Sequence, residues 1–98
     1  MNTTKEKTTC VRCERRQADG NEYEYTLTVR VSDMTASFRL PLYSVRVAMT
    51  TAVGVRREAE LNDIFISQKT ALAFFDRIVE NLATPIDLPF VYEDEMGK

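Results

Sequence analysis

Apolar and polar residues alternate from residue 23 to residue 31, and this period of two constrains the fold more than any other feature. The apolar positions are Tyr23, Tyr25, Leu27, Val29 and Val31. Successive side chains of a β-strand point to opposite faces, so this run predicts a strand with one face buried and the other in water. The protein therefore needs a sheet with one covered face, which is typical of antiparallel sheets.

A turn signal stands directly before this strand. Residues 19–21 read Asp-Gly-Asn, and Gly and Asn tolerate the positive φ angles that tight hairpin turns require. The stretch 8–16 in front of the turn alternates weakly, and it predicts a partner strand. A three-residue loop would place Val11 opposite Val29 and Cys13 opposite Leu27, so that apolar side chains face each other across the hairpin.

A third strand is predicted at residues 37–49, and its apolar phase changes partway along. Pro41 lies at the change and cannot donate a ladder hydrogen bond, so we predict a bulge or bend at Pro41-Leu42. The first phase contains Phe38, Leu40 and Leu42, and the second contains Tyr43, Val45, Val47 and Met49.

A fourth strand is predicted at residues 55–66, with an irregularity at Asn62-Asp63. After it, Ser67 is a good N-cap for a helical repeat that runs to about Leu82 and can cover one sheet face. Pro85 ends this helix. The apolar residues of the repeat recur at spacings of three and four: Ala71, Leu72, Phe74, Phe75, Ile78, Val79 and Leu82.

The end of the chain allows two structures. A short helix could run from Asp87 to Asp94, since proline is tolerated in a first turn, or residues 86–91 could pack as an extended tail. We favour the helix. The fold class is α+β: a four-stranded antiparallel meander, one amphipathic helix and a short C-terminal segment, in the order ββββα(α). Residues 8–94 form one domain, between a flexible tail at 1–7 and a C-terminal tail at 95–98.

Composition argues against catalysis. The chain has no histidine, which removes the commonest general base and the commonest metal ligand. The segment around Gly54 has too few glycines for a phosphate-binding loop. Glu58 and Glu60 share a strand face, but paired glutamates on an exposed strand are usually partners for arginine. We therefore expect no enzyme and no cofactor.

The two cysteines, Cys10 and Cys13, form a CxxC pair. A tetrahedral zinc site needs four ligands, so this pair could hold zinc only if two chains shared the ion. Positions i and i+3 of an extended strand point to opposite faces. One buried and one exposed thiol, with no metal, is the favoured interpretation.

No apolar stretch approaches the roughly 20 residues that span a bilayer, and residues 1–9 lack the apolar core of a secretion signal. We expect a cytoplasmic protein with no membrane partner. The net charge of −2 is unevenly spread, because residues 1–57 carry a balance of +4 and residues 58–98 a balance of −6. The molecule is dipolar if these halves stay apart.

Four arginines fall on strand positions predicted to face away from the helix: Arg30, Arg39, Arg46 and Arg56. A basic sheet face of this kind can bind single-stranded nucleic acid. Glutamates interleave with these arginines and the pI is about 5.1, whereas nucleic-acid-binding domains are usually more basic. A solvated face of mixed charge is favoured, and nucleic-acid binding is the alternative.

The second apolar phase of the third strand gives an interface hypothesis. Beyond the predicted bulge, Tyr43, Val45, Val47 and Met49 project from the face without the helix, and an exposed apolar stripe usually marks an interface. The alternative is that the bend keeps them inside. Pairing along the edge strand at residues 8–16 is a second route to association. We expect a small protein-interaction or regulatory module that self-associates, most simply as a homodimer.

The stretch 42–94 carries a recognisable pattern. An aromatic-small-aliphatic step at residues 43–45 precedes an acidic-apolar strand at 58–67 that ends in Ile-Ser, then a helix, then a proline-led tail at 85–94 that ends in acids. Over this stretch the chain resembles a family of short proteins of unknown function from spore-forming Gram-positive bacteria. Family members usually carry glycine and histidine where this chain has Ser44 and Asp87. The resemblance implies the architecture and a bacterial cytoplasmic origin, and no mechanism.

Overall fold

The structure is a computed structural model that describes residues 8–35 and 38–97, with the backbone alone at residues 32–35, 38 and 39. Four strands pair antiparallel in the order β1-β2-β3-β4, and two helices follow. The predicted ββββα(α) class is confirmed, while the predicted tail at residues 1–7 lies outside the described ranges. The elements are β1 (Thr8–Ala18), β2 (Asn21–Thr35), β3 (Phe38–Thr50), β4 (Arg56–Phe65), α1 (Gln68–Glu80) and α2 (Asp87–Met96).

The β1–β2 hairpin closes with a two-residue loop. Ala18 lies opposite Asn21, and the loop residues Asp19 and Gly20 have φ angles of 56° and 81°. Two positive φ angles are what a type I′ turn requires, and the twist of that turn matches the twist of paired strands. The predicted three-residue loop is therefore wrong, and Thr9 rather than Val11 faces Val29.

The β2–β3 pairing runs without a shift past Pro41, so the predicted bulge at Pro41-Leu42 is wrong. Val31 pairs with Pro41 and Arg30 with Leu42. The pairing of β3 with β4 ends at the pair Tyr43–Phe65. Pro41 lies beyond this pair, where β2 is the only described strand beside β3. The missing N–H of a proline costs no ladder bond at such an edge position.

The predicted irregularity in β4 is confirmed. Tyr43 pairs with Phe65 and Val45 with Leu61, so three β4 residues oppose the single residue between them on β3. Within this bulge Asp63 has a φ of 56°, and its backbone N–H donates to the Ser44 hydroxyl at 2.9 Å.

The core lies between α1 and one face of the sheet. The helix brings its predicted stripe onto the inward side chains of β2 and β3, and α2 adds Leu88. Ser67 caps α1 as predicted, because its hydroxyl accepts from the Thr70 N–H at 3.4 Å. Among the described residues the largest fully buried side chains are Tyr25, Leu27, Val45, Val47, Phe74, Phe75, Ile78 and Leu88.

A reciprocal capping box begins α2. The Thr84 N–H donates to the Asp87 carboxylate and the Asp87 N–H donates to the Thr84 hydroxyl, both at 3.1 Å. The favoured C-terminal helix is thus confirmed. Thr84, rather than Asp87, closes the turn that leads into α2, where the Leu88 N–H donates to the Thr84 carbonyl oxygen at 3.1 Å. Pro85 lies buried in this turn, where its missing N–H costs no helical hydrogen bond.

Candidate interaction edge of the sheet

The predicted apolar stripe lies inside the protein. Tyr43 is 7% exposed, Val45 and Val47 are 0% exposed, and Met49 packs partly buried against the same core. Their placement on the uncovered face is a prediction that the structure overturns. Because the register stays regular through Pro41, these side chains share the face of Tyr25 and Leu27, which α1 covers.

The arginine face of the sheet is occupied by ion pairs. Arg46 donates to Glu58 at 2.6 Å, and Arg56 donates to the other oxygen of the same carboxylate at 2.7 Å. Arg30 forms a two-bond pair with Asp63, at 2.7 and 3.1 Å. The side chain of Arg39 lies outside the described part of the chain.

These hydrogen bonds shift the pKa values of the groups that they join. Donation from Arg46 and then from Arg56 lowers the pKa of Glu58, and donation from Arg30 lowers the pKa of Asp63. The pKa of Arg46 is raised in turn by its bond to Glu58. A nucleic-acid phosphate would have to displace these carboxylates, so the geometry agrees better with the mixed-charge face than with a phosphate-binding one.

The clefts on this face share its mixed character. One of them has a volume of about 530 Å³ and is lined by Arg15, Arg56, Glu22 and Glu24 among others. Within the described ranges, no three His, Cys, Asp or Glu side chains are grouped so that they could hold a metal ion. Because the side chains that line this cleft carry charges of both signs, the cleft is suited neither to a strongly charged ligand nor to a metal ion.

Both cysteines lie on this outer face, contrary to the expectation of one buried thiol. The β1–β2 register shifts between Cys10 and Arg12, so Val11 is an extra residue and restores Cys13 to the parity of Cys10. Cys10 pairs with Thr28 and Cys13 with Thr26, and both thiols are exposed.

The two sequence halves with opposite charge balance do not stay apart. Arg12 on β1 pairs with Asp76 on α1 at 2.9 Å, and Arg30 on β2 pairs with Asp63 on β4. Each of these ion pairs joins a residue of the basic half to a residue of the acidic half. The separation of charge that a dipolar molecule requires is therefore not present among the described residues.

The open edge of β1 is the remaining feature of the sheet. Because β1 comes first in the strand order, only β2 pairs with it among the described strands. A two-residue turn is closed by a hydrogen-bonded pair, here Ala18 and Asn21, and bonded and unbonded pairs alternate from there. The outward amides, which point away from β2, are therefore those of Cys13, Arg15 and Gln17; the inward amides are those of Arg12, Glu14 and Arg16.

The other edge of the sheet is less suited to pairing. The β4 strand is interrupted by its bulge at Asp63, and α2 packs beside it. β1 also has a bulge, at Val11, and it is regular over the seven residues from Arg12 to Ala18, whereas the regular part of β4 is the six residues from Arg56 to Leu61. Bulges and covering elements are devices that protect sheet edges, so of the two edges β1 offers the longer regular segment to another strand.

The side chains of β1 carry charges of both signs on the helix side of the sheet. Glu14 accepts from Arg16 at 3.1 Å, and Arg12 reaches Asp76.

The sequence predicted that β1 is an edge strand, but it did not predict which of its amides point outward, because that depends on the length of the hairpin loop. The sequence feature that could have given the correct loop length is the Asp-Gly dipeptide, which is typical of a two-residue turn.

Together these features define a small α+β protein with one helix-covered sheet face, one ion-paired face and one open strand edge. The chain belongs to a family of unknown function, DUF6514, whose model it matches over residues 4–98. This confirms the resemblance to a family of unknown function; the bacterial origin stays a prediction. No curated protein and no solved structure matches the chain. Neither helix in the described ranges is long and apolar enough to cross a membrane.

Proposed function

We propose that this protein is a cytoplasmic protein-interaction module that self-associates by pairing strands along the β1 edge, without catalysis. The observation that carries the proposal is the row of outward amides on Cys13, Arg15 and Gln17. They lie on a regular strand segment whose outer side no other described strand occupies.

An edge of this kind presents N–H and C=O groups already held in the geometry of a strand. Another strand can add to it with little loss of backbone entropy on this side, because β1 is fixed by β2. A chain of 98 residues also buries a smaller fraction of its surface than a larger domain does. Association therefore adds stability that the small core lacks.

Charged side chains usually protect an edge strand against pairing. On β1 the charges have both signs, with Glu14 between Arg12 and Arg16 on one face. Such a pattern disfavours pairings that place like charges opposite each other and favours those that place opposite charges together. The edge is thus suited to one specific partner strand rather than to any exposed strand.

Size-exclusion chromatography with light scattering tests the proposal on the intact chain. The wild-type protein is expected to elute as a dimer at micromolar concentration at both low and high salt, with the absorbance ratio of protein alone. A monomer at every concentration would overturn self-association. Nucleic-acid absorbance that high salt removes would favour the arginine-face alternative.

The variant Arg15→Pro tests the edge itself. The Arg15 N–H is an outward amide, so proline removes a donor that the β1–β2 ladder does not use. We expect this variant to be a folded monomer with an unchanged circular dichroism spectrum. Arg15→Ala keeps the amide and is the control that should remain dimeric. If Arg15→Pro stays a dimer, the β1 edge is not the interface.

A further inference from the structure

We infer that two copies of this chain pair antiparallel along β1 with the twofold axis at Arg15, which sets Glu14 of each copy opposite Arg16 of the other. This inference rests on the proposed function, and it names the partner and the register. It follows from the phase of the outward amides and from the order of charges on β1.

The backbone limits the registers first. Two copies can exchange hydrogen bonds only where outward amides meet outward amides. With the axis at Arg15, all three outward positions take part: Cys13 meets Gln17, Arg15 meets Arg15, and Gln17 meets Cys13. The pairing then covers the whole regular segment from Arg12 to Ala18. An axis at Cys13 would let Cys13 alone, of the three, meet an outward partner.

The charges select among the registers next. With the axis at Arg15, Glu14 meets Arg16 twice, at unbonded positions where facing side chains are closest. An axis at Glu14 would set Glu14 against Glu14 and Arg12 against Arg16, so every charged pair on that face would repel. An axis at Arg16 would set Arg16 against itself.

The axis at Arg15 has two unfavourable features. The Arg16 guanidinium donates to the Arg15 carbonyl oxygen at 2.8 Å in the single chain and would have to release this acceptor, and two Arg15 side chains meet. These side chains are 80% exposed in the single chain, and each contacts Glu24 of its own chain at 3.2 Å. Water and the neighbouring carboxylates therefore screen the repulsion. We expect Arg15→Gln, which removes this repulsion and keeps the amide, to tighten the dimer.

The register also determines how far apart the cysteines of the two copies lie. Cys13 of one copy lies beside Gln17 of the other, so the two Cys13 residues are separated by four strand positions, about 13 Å. At that distance they can neither share a zinc ion nor form a disulfide.

Cysteine cross-linking distinguishes this register from others. In a Cys10→Ser background, Gln17→Cys places two thiols at a hydrogen-bonded pair, with Cα atoms about 5.5 Å apart, a separation that a disulfide bridges. The oxidant is a diazenedicarboxamide. Each pair of thiols loses two electrons and two protons to its N=N bond, which becomes a hydrazine as the S–S bond forms. We expect most of the chain to become a covalent dimer.

Two controls use the same gel. The Cys10→Ser protein with Cys13 alone should stay uncross-linked, and removal of Cys13 from the Gln17→Cys protein should abolish the cross-link. If Cys13 alone cross-links readily, the axis lies at Cys13 and the register is wrong while the proposed function stands. If light scattering shows only monomer, the proposed function and the register fail together.

Charge reversal tests the register without cysteines. Glu14→Arg sets arginine opposite Arg16 at two sites and should weaken the dimer about tenfold. Adding Arg16→Glu restores opposite charges at both sites, so the double variant should recover wild-type affinity. If Arg12→Glu restores affinity instead, the axis lies at Cys13 and the inferred register is overturned.

Discussion

The phenolic hydroxyl of Tyr25 donates a hydrogen bond of 2.9 Å to the carbonyl oxygen of Ala83. Tyr25 lies near the start of β2 with a side chain that is 0% exposed, and Ala83 lies just beyond the end of α1. The backbone there departs from the helix through Leu82, which has a φ of 50°. The bond thus ties the centre of the sheet to the segment that joins the two helices.

Removing this hydroxyl should weaken the fold without disturbing its packing. In Tyr25→Phe the ring stays in the core while the Ala83 carbonyl loses its donor. We expect the free energy of unfolding in urea to fall by about 1 kcal/mol, the usual contribution of one such bond. An unchanged unfolding midpoint and slope would show that the bond contributes nothing.

Tyr25 also makes the stability of the fold depend on pH in the alkaline range. Burial, and secondarily the neighbouring Tyr23, raise the pKa of Tyr25 from its ordinary value of 10.0 to about 12. A raised pKa in the folded state means that the neutral phenol is favoured there. The resulting stability is fully present below pH 10 and is lost as the pH rises from 10 to about 12.

Absorbance of tyrosinate at alkaline pH measures this effect. We expect one of the four tyrosines to ionise with a pKa of about 12 or together with unfolding, and Tyr25→Phe to remove that step. A wild-type protein in which every tyrosine ionises near pH 10 while it remains folded would contradict the burial of this phenol.

The burial of Val45 gives a test of the core. Val45→Asp would place a carboxylate at a position that is 0% exposed, and the cost is comparable with the whole stability of a small domain, about 5 kcal/mol. We expect this variant to be unfolded by circular dichroism. Val53→Asp, at a position that is 86% exposed, is the matched control and should fold normally. A folded Val45→Asp protein would restore Val45 to the surface.

The capping box at Thr84 should contribute to the docking of α2. Thr84→Ala removes the hydroxyl that accepts from the Asp87 N–H, and we expect it to lower the free energy of unfolding by about 1 kcal/mol. Thr84→Ser retains a hydroxyl at the same place and should behave like the wild type. Equal stability of the alanine and serine variants would contradict the role of the cap.

The strongest periodic signals in the sequence predicted the fold. The alternation that begins at Tyr23 predicted β2, and the repeat after Ser67 predicted α1, because each pattern is long enough to specify a buried face. Neither pattern depends on which residue pairs with which. The meander order followed because adjacent strands joined by short turns pair as neighbours.

The register was harder to predict, and the errors in the candidate sites came from it. A difference of one residue in the hairpin loop changes the partner of Val11, and the extra residue at that position returns Cys13 to the face of Cys10. The supposed bulge at Pro41 moved Val45 to the wrong face for the same reason. A one-residue slip reverses every side chain beyond it. The Asp19-Gly20 dipeptide is a signal for the length of the hairpin loop, whereas the extra residue at Val11 has no such signal in the local sequence.

The sequence predicted that arginines and glutamates would pair across the sheet, but it did not predict which residues pair. That glutamates would accompany the arginines followed from their interleaving in sequence. The bond between Arg30 and Asp63 requires the β4 bulge to hold Asp63 at its positive φ, and that geometry comes from the pairing of β3 with β4. The outward amides of β1 depend likewise on the closing pair of the hairpin.

Hydrogen exchange of the β1 amides tests the central claim most directly. At high protein concentration we expect the outward amides of Cys13, Arg15 and Gln17 to be protected, and on dilution they should exchange freely. The inward amides stay protected throughout, because β2 holds them, and they are the internal control. Outward amides that exchange freely at every concentration, beside protected inward amides, would contradict pairing along the β1 edge.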